Sequence, residues 1–115
     1  METSPDESTY FIRAGKGTTH RIFPGVSINT IAGERMMLSV VTFEPRSVVE
    51  EHAHPHEQMG VMISGTAEFT VGGVTTLIGP GDAWRIPGGV KHKVVALDGP
   101  AVALDVFHPI REDYR

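Results

Sequence analysis

Three histidines fall within five residues in His52-Ala53-His54-Pro55-His56, and Glu57-Gln58 follows at once. Neutral imidazole is the commonest nitrogen ligand for divalent transition metals, and an amide oxygen or a carboxylate can complete such a set. Residues two apart on an extended chain share a face, so His52 and His54 can point together. Gln58 keeps that parity, whereas Glu57 falls on the opposite face; Pro55 perturbs the pleat and weakens the parity beyond it. A fourth ligand must come from a neighbouring strand. His92 is the best placed, being the only histidine in the Gly/Pro-rich segment Gly81–His92 and following the tight corner Pro87-Gly88-Gly89. A His-x-His-x-His run is also compatible with a solvated patch. His20 and His108 have no comparable company and are read as structural.

The elements that must position these side chains are short. Val26–Ala32 and Met36–Phe43 read as strands, the second so apolar and β-branched that cover on both faces is expected. Thr66–Ile78 alternates on either side of Gly72-Gly73, the pattern of a β-hairpin with a primed turn. Ala83–Ile86, Lys91–Leu97 and Ala101–Phe107 read as further strands, separated by Pro87-Gly88-Gly89 and Asp98-Gly99-Pro100. A helical turn is placed only near Arg111–Tyr114. Strands recurring every 8–12 residues predict an all-β domain closed as a barrel or jelly roll. Met1–Thr9 is polar and aperiodic, and is expected to be a flexible arm, leaving one domain over residues 10–115.

Composition excludes several functions. The 115 residues include 13 glycines and 8 prolines, which favours turns over long helices, and no cysteine. Thiol catalysis, thiolate-bound zinc, iron–sulfur clusters and disulfides are therefore out. A net charge of −4 argues against a nucleic-acid or membrane partner. No run is long enough to span a bilayer, and Met1–Arg13 lacks the apolar core of a secretory signal, so a cytoplasmic location is expected. No Gly-x-Ser-x-Gly elbow or His-Glu-x-x-His helix is present.

The two chemistry-bearing segments resemble the paired motifs of the cupin superfamily, and together with the hairpin between them cover nearly half the chain. His52, His54, Gln58 and Gly65 stand at the places of Gly-x5-His-x-His-x3-Glu-x6-Gly; Gly81, Pro87, Gly89 and His92 match Gly-x5-Pro-x-Gly-x2-His-x3-Asn. Arg46 replaces the opening glycine, Ala96 the closing asparagine and Gln58 the usual glutamate. The resemblance implies a single-domain jelly-roll barrel holding one divalent transition metal (Zn, Ni, Mn or Fe) on His52, His54, Gln58 and His92. An amide in place of the glutamate leaves the metal charge uncompensated, which favours Lewis-acid chemistry on an anionic ligand.

His-x-His-Pro-His-Glu-Gln, with an ending Asp105-Val106-Phe107-His108-Pro109-Ile110-Arg111-Glu112-Asp113, is similar to the small cupins that linearise 4,5-unsaturated uronate monosaccharides in pectin and alginate breakdown. That resemblance implies Asp105 as acid/base and Arg111 as the carboxylate-binding residue. Ala101, Ala103, Asp105 and Phe107 share one face of the last strand, so Asp105 has space beside it and Phe107 is expected beside the substrate. A salt bridge from Asp105 to Arg85 or Arg111 is the structural alternative for that carboxylate. Small cupins commonly pair, and a homodimer is expected, compatible with the apolar face of Val102, Leu104 and Val106. The competing functions are a cupin dioxygenase and a non-catalytic domain holding a small anion or sugar.

Overall fold

The computed structural model describes residues 4–115, and the part of the N-terminal arm at residues 1–3 lies outside them. After a four-residue helix α1 (Glu7–Tyr10), capped at Asp6, the chain runs through ten strands: β1 (Thr18–Phe23), β2 (Val26–Ala32), β3 (Met37–Phe43), β4 (Val48–His52), β5 (Glu57–Ser64), β6 (Ala67–Val71), β7 (Val74–Ile78), β8 (Ala83–Ile86), β9 (His92–Ala96) and β10 (Ala101–His108). A 3₁₀ turn at Glu112–Tyr114 follows. The pairings are antiparallel throughout and form a six-stranded sheet β1-β2-β3-β10-β5-β8 and a four-stranded sheet β4-β9-β6-β7. Two such sheets folded face to face are the jelly roll expected from the strand spacing. Among the described residues no helix is long and apolar enough to cross a membrane.

Alternation decides which side chains meet between the sheets. Val26, Ile28 and Thr30 of β2, Met37, Ser39, Val41 and Phe43 of β3, and Ala101, Ala103, Asp105 and Phe107 of β10 all point inward and are buried. Val49, Ala67, Phe69, Val94 and Ala96 meet them from the smaller sheet. Each large apolar side chain so removed from water contributes roughly 1.5–3 kcal/mol. The hairpin reads as its sequence predicts: Gly72 and Gly73 have φ of 56° and 81°, the two positive values of a type I′ turn.

One expectation is corrected. β3 is not covered on both faces, because burial alternates strictly along it and Leu38 and Val40 are 41% and 37% exposed. Its apolar composition instead serves two different surfaces, the barrel interior and an outer face. In register across β3, β10 and β5, that outer face presents Leu38–Val106–Met59 and Val40–Leu104–Val61 as continuous rows.

Arg46 is the only non-glycine residue with a positive φ, 61°, among the described residues. It occupies the place where the motif carries glycine, so the turn into β4 keeps its left-handed shape although the residue that relieves it is absent. A β-carbon there costs about 1–2 kcal/mol, against roughly 0.5–1 kcal/mol for the extra entropy glycine loses on folding. The ion pair of Arg46 with Asp98 lies almost wholly in solvent and offsets little. Arg46→Gly is therefore expected to raise the unfolding free energy by up to about 1 kcal/mol, seen as a higher midpoint in urea or heat. A lowered midpoint would mean that the arginine side chain contributes more than the backbone strain costs.

Candidate metal centre

Four side chains from both sheets converge at one end of the barrel. His52 ends β4 and lies directly opposite His92 at the start of β9. His54 sits in the short connection between β4 and β5, and Gln58 is the second residue of β5, in the larger sheet. His52, His54 and Gln58 thus do not share one extended strand but run from strand to loop to strand, and they converge because the connection turns the chain from one sheet to the other. One ligand atom from each of His52, His54 and His92 lies within 4.8 Å of the others. His56 is not part of this cluster, and His108 is exposed.

The imidazoles share one arrangement. His52 Nδ1 donates to the Glu50 carbonyl at 2.9 Å, His54 Nδ1 to the His56 carbonyl at 3.0 Å, and His92 Nδ1 to the Val90 carbonyl at 2.9 Å. A carbonyl oxygen only accepts, so each Nδ1 carries the proton and each Nε2 is left as a lone pair. His92 Nε2 is buried with no hydrogen-bond partner. Gln58 Oε1 stands 3.0 Å from His54 Nε2. Two acceptors at that spacing repel unless a cation lies between them, and ligands bound at about 2.1 Å to one ion are themselves roughly 3 Å apart. The donor set fits a divalent transition ion: three neutral nitrogens, one amide oxygen and no thiolate. Burial, with the Arg111 charge as the next cause, lowers the pKa of His54; burial pushes His92 down to about 4, so both offer neutral nitrogens at pH 7.

Beside this cluster opens a cavity of about 320 Å³, whose lining includes Gln58, His92, Asp105, Phe107, Arg111 and Tyr114. Asp105 is 7% exposed and accepts a hydrogen bond of 2.7 Å from Trp84 Nε1. The salt-bridge alternative for Asp105 is not realised, since Arg111 pairs with Asp113 at 2.9 Å and Arg85 is on the outer, exposed side of β8. Burial pushes the Asp105 carboxyl up to about 6, against the opposing hydrogen bonds from Gln58 and Trp84. Arg111 stacks its guanidinium on Tyr114, 4.1 Å from the ring centroid, with Phe107 at 5.4 Å, and its buried Nε has no partner. The Phe107 ring stands edge-on to His54 at 5.7 Å.

Two contributors escaped the sequence. Tyr114 walls the cavity because its carbonyl accepts bonds from Thr30 Oγ1 on β2 and from His20 Nε2 on β1, which seats the C-terminal turn against the barrel. Trp84 lies buried on the short strand β8, and its bond to Asp105 is visible only once the strands are in register. In the interior the cavity is lined by apolar side chains, among them Ile28, Val41, Phe43 and Phe69.

The raised carboxyl has a thermodynamic signature. A folded-state pKa near 6 against an ordinary 3.8 means the folded chain binds the proton more tightly than the unfolded chain. Stability from this group is therefore fully present below about pH 3.8, falls between there and pH 6, and stays reduced above, by on the order of 3 kcal/mol. In chelator-stripped protein, Asp105→Asn should raise the thermal midpoint at pH 7.5 and give little or no gain at pH 4. An equal effect at both pH values would contradict a buried charge as the cause.

The comparisons with known proteins agree with this geometry. KdgF from a Halomonas species is 28% identical, with 90% of this chain and 96% of that one covered at a TM-score of 0.81. An RmlC-like cupin from Shewanella frigidimarina shares the fold at a TM-score of 0.85, 24% identity, and 92% and 96% coverage. Bacillus subtilis oxalate decarboxylase, a protein with Mn(II) centres, matches at 26% identity and a TM-score of 0.72, with 83% of this chain covering 29% of that one. No curated protein sequence matches the chain. The cupin-domain profile matches residues 39–107, the span that carries all four converging side chains and Asp105, and the chain belongs to the cupin family.

Proposed function

We propose that this cupin is an enzyme that linearises 4,5-unsaturated uronate monosaccharides to 5-keto-4-deoxyuronates. The observation that carries the reading is the convergence of Asp105 and Arg111 on the cavity that borders His52, Gln58 and His92. A resemblance of 28% identity to KdgF over nearly the whole chain supports it.

In the proposed reaction His52, His54, Gln58 and His92 would hold one divalent ion, Zn, Ni, Mn or Fe. When bound, that ion supplies Lewis-acid stabilisation of anionic oxygen. Arg111 would take the substrate carboxylate, using Nε and a terminal nitrogen as a fork. Phe107, between Arg111 and His54, would bound the ring on one side. Asp105 would accept the proton of the anomeric hydroxyl; the C1–O5 bond then breaks as C1=O forms, and the electrons pass to the C5 enol oxygen. Returning the proton to C4 completes the ketone. The net change is an isomerisation that needs no oxidant, and a carboxyl poised near pH 6 is suited to both giving and taking a proton.

Loss of the conjugated C4=C5 ultraviolet band, followed with metal-loaded, chelator-stripped and enzyme-free samples together, tests the reading. Acceleration is expected only with the metal-loaded protein; identical rates in all three would sink it. Asp105→Asn should reduce turnover by about 10²-fold or more while leaving metal content intact. His92→Ala should lose the metal itself, measured by elemental analysis after dialysis. The apolar depth of the cavity favours, as a second reading, a dioxygenase for a phenolic or diketone substrate, for which dioxygen uptake is the test.

The same proposal includes pairing of two chains through the outer face of the six-stranded sheet. Leu38, Val40, Met59 and Ile63 are 41%, 37%, 52% and 55% exposed there. Glu57 and Arg85 carry opposite charges on the same outer face, which a two-fold contact can pair reciprocally. Leu38→Asp should shift sedimentation from twice the chain mass to one chain mass with the far-ultraviolet circular dichroism unchanged. A wild-type protein that sediments as one chain would remove the pairing.

A further inference from the structure

We propose that Trp84 is a positioning residue for Asp105 and that Gly60 is the gap through which it acts, an inference that rests on the acid/base role of Asp105 proposed above. Asp105 lies directly opposite Gly60 on β5, and Gly60 directly opposite Trp84 on β8. Neighbouring strands are about 4.8 Å apart, so Asp105 and Trp84 stand two strand spacings from one another. Only a long side chain crossing a position without one can bridge that distance. The indole does so, and its Nε1 reaches Asp105 Oδ1 at 2.7 Å. A β-carbon at Gly60 would lie 2.4 Å from Asp105 Oδ1 and 2.4 Å from Trp84 Nε1 and Cε2, closer than non-bonded atoms approach.

The contact has a fixed direction. An indole N–H donates and cannot accept, so Oδ1 is committed as the acceptor. Gln58 is the second hydrogen-bond partner of the same carboxyl, so the indole acts together with that amide. The indole is itself held, packed against Phe69 with ring centroids 4.4 Å apart. A carboxyl held by two such donors loses the rotation about χ2 that would otherwise spread its reactive oxygen over several directions. Such misalignment at a reacting group costs rate more than it costs binding.

Trp84→Phe keeps the apolar ring and deletes the donor. It is expected to lower kcat on the unsaturated uronate by about 10- to 100-fold with KM changed less than about twofold and metal content unchanged. In an Asp105→Asn background the same substitution should change the residual rate by less than about twofold, because there is no reactive carboxyl left to aim. A loss of equal size in both backgrounds, or one confined to KM, would overturn the positioning role. Trp84 is the only tryptophan, so the protein gives a single indole N–H resonance. That resonance should move upfield in Asp105→Asn, where a carboxylate acceptor becomes an amide; an unmoved resonance would overturn the pairing itself. Wild-type protein without uronate turnover but with the expected indole shift would place the failure in the proposed reaction, and would overturn the catalytic purpose of the pair while leaving its geometry standing.

Discussion

Three main-chain carbonyls govern the chemistry of this barrel. Those of Glu50, His56 and Val90 each hold the Nδ1 proton of a nearby imidazole, and each bond spans only two residues along the chain. The direction of every Nε2 lone pair is therefore set by local backbone shape, before any ion is present. That backbone is in turn fixed by the pairing of His52 with His92 across β4 and β9, and by the turn that carries the chain through His54 to Gln58. The three imidazoles are preorganised because strands and a tight connection orient them, and not contacts with one another.

Charge is distributed with the same economy. The converging donors are neutral, and burial favours that state for His54 and His92. The positive charge at the cavity is Arg111, held by stacking on Tyr114 and by Asp113, so that its buried Nε is left free. Asp105 is the carboxyl that is buried, and desolvation brings its ionisation close to neutrality. An anion entering here would meet the Arg111 guanidinium, already shared with Asp113, beside a carboxyl that takes up a proton at about pH 6.

What could be read from sequence follows from how local each cause is. The β2 and β8 strands and the Gly72-Gly73 hairpin were legible because alternation, and two glycines able to adopt positive φ, act within a few residues. The four converging donors were legible through their spacing, because glycine and proline corners aim the strands that carry them. β1 was not read as a strand, since Thr18–Phe23 is polar at one end and half-buried at the other. The cover on both faces read for Met36–Phe43 misjudged a strand whose outer side chains stay open. The bond between Trp84 and Asp105 depends on three strands in one register, which no single segment encodes. Tyr114 escaped for the same reason, because its place is set by His20 and Thr30, more than eighty residues away.

The empty slot at Gly60 also constrains how this chain can change through descent. A side chain at position 60 and an indole bonded to Asp105 from position 84 exclude one another, so what one site can accept depends on the other. A lineage that gains bulk at 60 must first have given up the indole, and one that acquires tryptophan at 84 must already carry glycine. The order of substitutions is thus imposed by geometry: relatives with a side chain at 60 are expected to lack tryptophan at 84, whereas loss of the tryptophan alone leaves glycine free to stay.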